Sequence, residues 1–321
     1  MRAVYARSPD AADPLAALEV GDRPAPTAPA GWTTVTMRAA SINHHDLFTL
    51  RGVGIGADAF PMILGCEGAG VDQDGTEVIV HGVIARADWT GDETLDPRRS
   101  LLSERYQGTM AERGAVPRRN VVPKPAALSQ AEAACLGVAW LTAYRMLFVR
   151  SGLRPGETVL IQGASGGVAT AATALARSAG LRVWVTGRTE EKRALAAALG
   201  AHETFAPGAR LPDRVDAVID AVGEATWAHS LRSLRPGGTV VTCGATSGAR
   251  ADADLARVFF RQLRIVGSTM GTRDELTSLV RLLESTGLRP EISEVLPLDR
   301  AAEGFHAIAG GDTAGKIVLT I

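Results

Sequence analysis

Three cysteines in 321 residues, Cys66, Cys135 and Cys243, are too few and too widely spaced for a disulfide framework. They lie in apolar, glycine-containing surroundings and read as reduced thiols of a cytoplasmic protein. Charge of one sign is also lacking. The formal net charge is −1 and the isoelectric point is near 6.6, so no basic field draws nucleic acid or anionic lipid. No apolar run reads as long enough to cross a bilayer, and no N-terminal signal pattern is present. What remains is a chain with 46% hydrophobic residues, enough for sizeable cores, and a length that favours two domains.

The most informative stretch is 158–193. Residues 158–162 (TVLIQ) form a short β-branched apolar run, as a strand buried on both faces should. Gly163, Ala164, Ser165, Gly166 and Gly167 follow as a turn, and an Ala-rich segment with good helix propensity runs to about Ala179. A second apolar run, 181–186, closes a strand–helix–strand unit. Gly166, Gly167 and Ala169 occupy the G-x-x-G/A part of a dinucleotide fingerprint, with Val168 in the first helical turn. Backbone N–H groups and the helix dipole at such a turn hold a pyrophosphate. Glycines also make ordinary turns, but here both strands and the helix are present around them.

The tip of the second strand bears on which dinucleotide binds. NAD sites carry Asp or Glu there, about 20 residues beyond the glycines, to accept from the ribose 2′-OH. This chain has Gly187, Arg188 and Thr189, with Lys192 and Arg193 behind them, while Glu190 and Glu191 fall where a helix begins. Arg with nearby Thr and Lys suits a 2′-phosphate, so the expected cofactor is NADP(H). The plain alternative is an exposed Arg188 at a solvated helix start.

Along the rest of the chain the N-terminal part reads as β-rich, with short runs at 4–5, 33–39 and 75–83. Residues 85–107 are polar with little periodicity apart from Trp89, and read as a long surface loop. Ser129 and Glu132 form a capping-box pattern. Beyond the glycine unit, strands at 216–220, 238–243 and 263–267 alternate with helices at 227–234 and 255–262. Such alternation predicts a parallel, doubly wound α/β sheet. An amphipathic helix over 275–283 and a terminal strand over 316–321 complete the reading.

Several separated segments carry one pattern: 40–52 (ASINHHDLFTLRG), 64–71 (LGCEGAGV), 121–125 (VVPKP), 141–144 (LTAY), 163–169, 237–244 and 315–318 (GKIV). In this order they resemble the medium-chain dehydrogenase/reductase superfamily, and within it the zinc-independent, quinone-oxidoreductase-like branch. The resemblance implies a GroES-like β-rich catalytic domain over 1–125 and 271–321, a Rossmann domain over 126–270, and a site in the cleft between them. It implies a homodimer paired through 263–267. It also places Asn43 and Thr142 beside the nicotinamide, with Val222, Cys243, Gly244, Gly267, Ser268 and Thr269 at strand ends along the cofactor.

Departures from the family pattern matter as much. Zinc alcohol dehydrogenases carry three ligands where this chain has Asn43, Cys66 and Val138, and Val138 cannot bind a metal. The cysteines of a structural zinc lobe are missing from 85–107. The expectation is therefore no metal. Without a Lewis acid to polarise a plain carbonyl, the better substrates are stronger electrophiles, such as quinones or carbonyl-conjugated alkenes. Asn43 is a candidate to hold nicotinamide or substrate, or else a capping residue. His45 lies where the alcohol branch keeps a proton-relaying hydroxyl, so it is a candidate acid or a packing histidine. Asp46 orients it or forms a structural pair. Two other readings stay open: an enoyl-thioester reductase, although 41–65 lacks the tyrosine that branch uses, and a non-catalytic NADPH-binding sensor.

Overall fold

The computed structural model describes residues 1–311 and 313–321. The chain divides into two compact units, Met1–Leu141 with Gly271–Ile321, and Thr142–Met270. The first boundary lies after Leu141 rather than at 125/126. The reason is packing: the helical segments Gln130–Ala133 and Leu136–Trp140 lie on strands Trp32–Ser41, Gly68–Asp72 and Glu77–Val80 of the first unit.

The first unit is β-rich and GroES-like. Its main sheet runs Val121–Pro123, Glu77–Val80, Gly68–Asp72, Trp32–Ser41, Lys316–Thr320, Ile292–Pro297, with Arg113–Pro117 also on Trp32–Ser41. Lys316–Thr320 pairs antiparallel with Trp32–Ser41 and parallel with Ile292–Pro297, so the two chain ends meet in one sheet. Val4, Ile42, Leu64, Phe305 and Leu319 anchor one of its core clusters, each at most 1% exposed. Burying each such side chain contributes about 1.5–3 kcal/mol. Residues 85–107 are more ordered than a surface loop. Val83–Ile84 pairs with Ser100–Leu101, and the buried Asp96 carboxylate accepts from the N–H groups of Arg86 and Arg98.

The second unit is a Rossmann α/β unit. Its sheet is parallel throughout, in the order Glu203–Phe205, Arg182–Thr186, Thr158–Gln162, Val215–Asp220, Leu234–Thr242, Arg264–Gly267. Parallel strands place all their carboxyl ends on one edge. Helix Gly167–Ser178 packs on Thr158–Gln162 and Arg182–Thr186, and its Ala-rich face lets the backbones approach closely.

One sequence expectation is corrected here. The helical run Gln130–Arg150 has the length and hydropathy of a membrane span, yet 72% of its apolar window is buried inside the protein. Its apolarity serves the cores rather than lipid, which is why it escapes a reading based on surface patterning.

Candidate active site

The carboxyl edge of the parallel sheet gathers the cofactor candidates of the second unit. The chain leaves Thr158–Gln162 through Gly163, whose φ of +85° favours glycine. Gly166 is the N-cap of the following helix, and the first-turn N–H groups of Gly167 and Val168 have no partner within that helix. Ser165 beside them is buried. A Cβ added at Gly166 or Gly267 would meet nothing within 4 Å, so both backbones face open space. Arg150 fixes the Gly267 carbonyl at 2.8 Å and 3.1 Å. Ser268 donates its N–H to the Thr242 carbonyl at 2.8 Å, while its hydroxyl is sealed from solvent without a protein partner. Thr269 follows it on the exposed side. An open glycine cradle with an orphaned hydroxyl fits a dinucleotide.

At the neighbouring strand ends the turns are braced from below. The buried Asp220 carboxylate accepts from the N–H groups of Val222 and Gly223 at 2.9 Å and 3.0 Å, and from the hydroxyls of Thr226 and Ser230. Burial pushes the Cys243 thiol up to about 12, so beside Gly244 it stands as a neutral group. After Arg182–Thr186, Gly187 and Arg188 lead to Thr189, the N-cap of helix Glu190–Ala198, whose hydroxyl accepts from the Lys192 N–H at 3.3 Å. Arg188 is exposed and Lys192 half-buried, and no carboxylate stands at the strand tip. Arg193 instead turns back onto the Gly187 carbonyl at 2.8 Å. Thr142 is buried in helix Leu141–Tyr144.

The first unit holds a different constellation. Asn43 caps helix His44–Leu50, and its amide is occupied on both sides: Oδ1 accepts from the Lys316 ammonium at 2.6 Å, and Nδ2 donates to Glu67 Oε1 at 2.8 Å. Glu67 also accepts from the Ser41 hydroxyl, from the Val138 N–H at 2.6 Å, and from Lys316 at 2.9 Å. Val138 lies in the wide π-helical turn Leu136–Trp140, where Gly137 passes so close that a Cβ would stand 2.7 Å from the Val80 carbonyl oxygen. Asn43, expected to meet nicotinamide or substrate, is therefore tied into a buried polar knot with Lys316 and Glu67. Asp46 likewise braces the backbone rather than His45. Its two oxygens accept from the N–H groups of Gly65 at 2.9 Å and Asn43 at 2.8 Å.

His45 stands between two side chains. Its Nδ1 lies 2.9 Å from Cys66 Sγ and its Nε2 lies 3.0 Å from Glu104 Oε1. Burial opposes charge on this ring, but the sulfur and the carboxylate outweigh it and hold the imidazole well above its ordinary pKa. Burial pushes the Cys66 thiol up, and the thiol sits 2.9 Å from the Leu102 carbonyl. Neither ring nitrogen is free to hand a proton directly to a substrate, which departs from the expectation of a direct acid. Glu104 and Lys316 are the residues that sequence reasoning missed. A lone Glu in a polar segment carries no signal, whereas Lys316 was visible within GKIV.

His45, Asp46 and Cys66 place their ligand atoms within 4.8 Å of one another. They do not fit a tetrahedral zinc. Asp46 already satisfies two backbone N–H groups, the Cys66 thiol has a carbonyl acceptor, and Asn43 and Val138 are committed elsewhere.

Residues 29–126 match the alcohol dehydrogenase GroES-like domain, and residues 167–285 match the zinc-binding dehydrogenase domain. A crystal structure described as an NAD-dependent alcohol dehydrogenase is 34% identical, with a TM-score of 0.92 and all of both chains covered. The structure of the 2-octenoyl-CoA carboxylase reductase CinF, in complex with NADP and 2-octenoyl-CoA, is 26% identical with a TM-score of 0.92, covering 99% of this chain and 87% of that one. The quinone oxidoreductase of Mus musculus is 30% identical, over 63% of this chain and 66% of its own length. The chain belongs to the medium-chain dehydrogenase/reductase superfamily and is an oxidoreductase on that scaffold.

Proposed function

We propose that the protein is an NADP(H)-dependent, zinc-independent reductase of conjugated electrophiles, namely quinones and carbonyl-conjugated alkenes. The observation that carries this reading is the first-unit site itself. It offers His45, whose partners raise its pKa, and among the described residues no set of ligands for a metal that would polarise an unconjugated carbonyl. A bound reduced nicotinamide supplies the hydride. Gly166, Gly167 and Val168 would hold the pyrophosphate, and Arg188 with Thr189 and Lys192 the 2′-phosphate. The N–H groups at Gly267 and Ser268 lie on the same sheet edge for the nicotinamide end. Hydride addition leaves a negative charge delocalised on the acceptor. A protonated His45 would favour that charge, and one proton from solvent completes the reduction.

A second reading places an enoyl thioester in the same role. It draws support from the 2-octenoyl-CoA complex of a structural relative. The test is NADPH oxidation against quinones, enones, enoyl thioesters and simple aldehydes. Turnover of conjugated acceptors alone is expected. Turnover restricted to simple aldehydes would overturn both readings, and no turnover with tight NADPH binding would point to a sensor.

A further inference from the structure

The hydrogen-bond roles around His45 determine its protons. Glu104 as a carboxylate only accepts: Oε2 already takes the Leu101 N–H at 2.9 Å, and Oε1 faces His45 Nε2 at 3.0 Å. Nε2 must therefore carry a proton. On the other side, Cys66 Sγ lies 2.9 Å from the Leu102 carbonyl, which also only accepts, so the thiol proton points there. The sulfur is then left as an acceptor toward His45 Nδ1 at 2.9 Å, and Nδ1 must carry a proton as well. An imidazole with protons on both nitrogens is an imidazolium.

We propose that Cys66 and Glu104 lock His45 as a doubly donating imidazolium, with Glu104 as the positioning residue that keeps this fixed cation in place. The idea deepens the function proposed above and rests on it for its catalytic consequence. The arrangement of thiol, imidazole and carboxylate superficially matches that of a cysteine nucleophile, but the roles are reversed. The thiol is wholly buried, its proton is given to a carbonyl, and it acts as an acceptor. Asp46 is a further carboxylate near the ring, its oxygens held by backbone N–H groups. Burial opposes the charge, and the Lys316 ammonium lies near Asp46, so the acceptors around the ring must outweigh both.

The experiment is nitrogen-15 NMR of histidine-labelled full-length protein from pH 5.5 to 7.5, with turnover measured across the same range. Both His45 nitrogens should keep protonated-imidazolium shifts throughout in the wild type. Glu104→Gln preserves shape and an oxygen acceptor, and should bring the His45 midpoint into the window. Each unit by which the midpoint falls leaves about tenfold less imidazolium above it. Turnover of an enone should then fall with rising pH in Glu104→Gln, remain flat in the wild type, and recover in Glu104→Asp. A wild-type His45 that titrates near 6.5, or sits as one neutral tautomer, would overturn the proposal even if no variant folds. Imidazolium shifts with turnover indifferent to Glu104→Gln would uphold the lock and remove the charge from the proposed mechanism.

Discussion

Lys316→Met tests the buried knot that anchors the first unit. Lys316 is 3% exposed and donates to Ile42 O at 3.0 Å, Asn43 Oδ1 at 2.6 Å and Glu67 Oε1 at 2.9 Å. Methionine matches its length but removes the charge and all three donors. Glu67 keeps the Val138 N–H, the Ser41 hydroxyl and the Asn43 amide, yet stays buried without a counter-charge. Breaking one partner from a buried pair costs about 3–5 kcal/mol, a figure that already includes the stranded acceptors. At a slope of about 2–3 kcal/mol per molar urea, the first unfolding midpoint should fall by roughly 1–2.5 M. The double variant Lys316→Met/Glu67→Gln removes the orphaned charge and should recover much of that loss, because residues in one network are not additive. A single-variant shift below about 0.3 M, or a double variant no better than the single, would refute the reasoning.

Arg188→Ala should weaken NADPH binding by about 1.5–3 kcal/mol, roughly 10- to 150-fold, and leave NADH nearly unchanged in a fluorescence titration; equal losses would mean a structural arginine. Phe259 and Phe260 are 68% and 83% exposed beside the edge strand Arg264–Gly267, so sedimentation should show a homodimer that Phe260→Glu dissociates. Purified protein should contain no stoichiometric zinc and keep its activity in strong chelator, as elemental analysis with parallel assays would reveal. The His45 site should also give stability a two-sided pH dependence, measured as the urea midpoint difference between wild type and His45→Gln. The raised imidazole contributes fully below its unfolded value of 6.5 and its share is lost as pH rises through the folded value. The depressed Glu104 contributes above 4.5 and its share is lost as pH falls through its own folded value.

The Rossmann unit was legible because its signals are local. A β-branched run with both faces buried, a glycine turn and an alanine-rich helix lie within a few tens of residues and fold against each other. The Ser129–Glu132 box appears as read, with Ser129 Oγ accepting from the Glu132 N–H at 3.2 Å. The first unit was harder. Strand Ile292–Pro297 and helix Ala301–Gly310 went unread, since Ser293 and Glu294 break the apolar run and two glycines weaken the helical pattern. The charged site was least accessible. Lys316 meets Asn43 across 273 residues and Glu104 meets His45 across 59, and no periodicity reports a pairing made only in three dimensions. A buried lysine in particular contradicts composition-based expectation, and only its partners explain it.

The strand Lys316–Thr320 lies between Trp32–Ser41 and Ile292–Pro297. On the ribosome the chain emerges from its N-terminal end, so the whole of 142–270 is available to fold before this strand exists. Until it arrives, the 39–41 end of Trp32–Ser41 lacks a partner on one side, and Glu67 waits without its cation. Chains cut before Lys316 would thus present residues 142–270 complete, joined to a sheet with an uncovered, sticky edge.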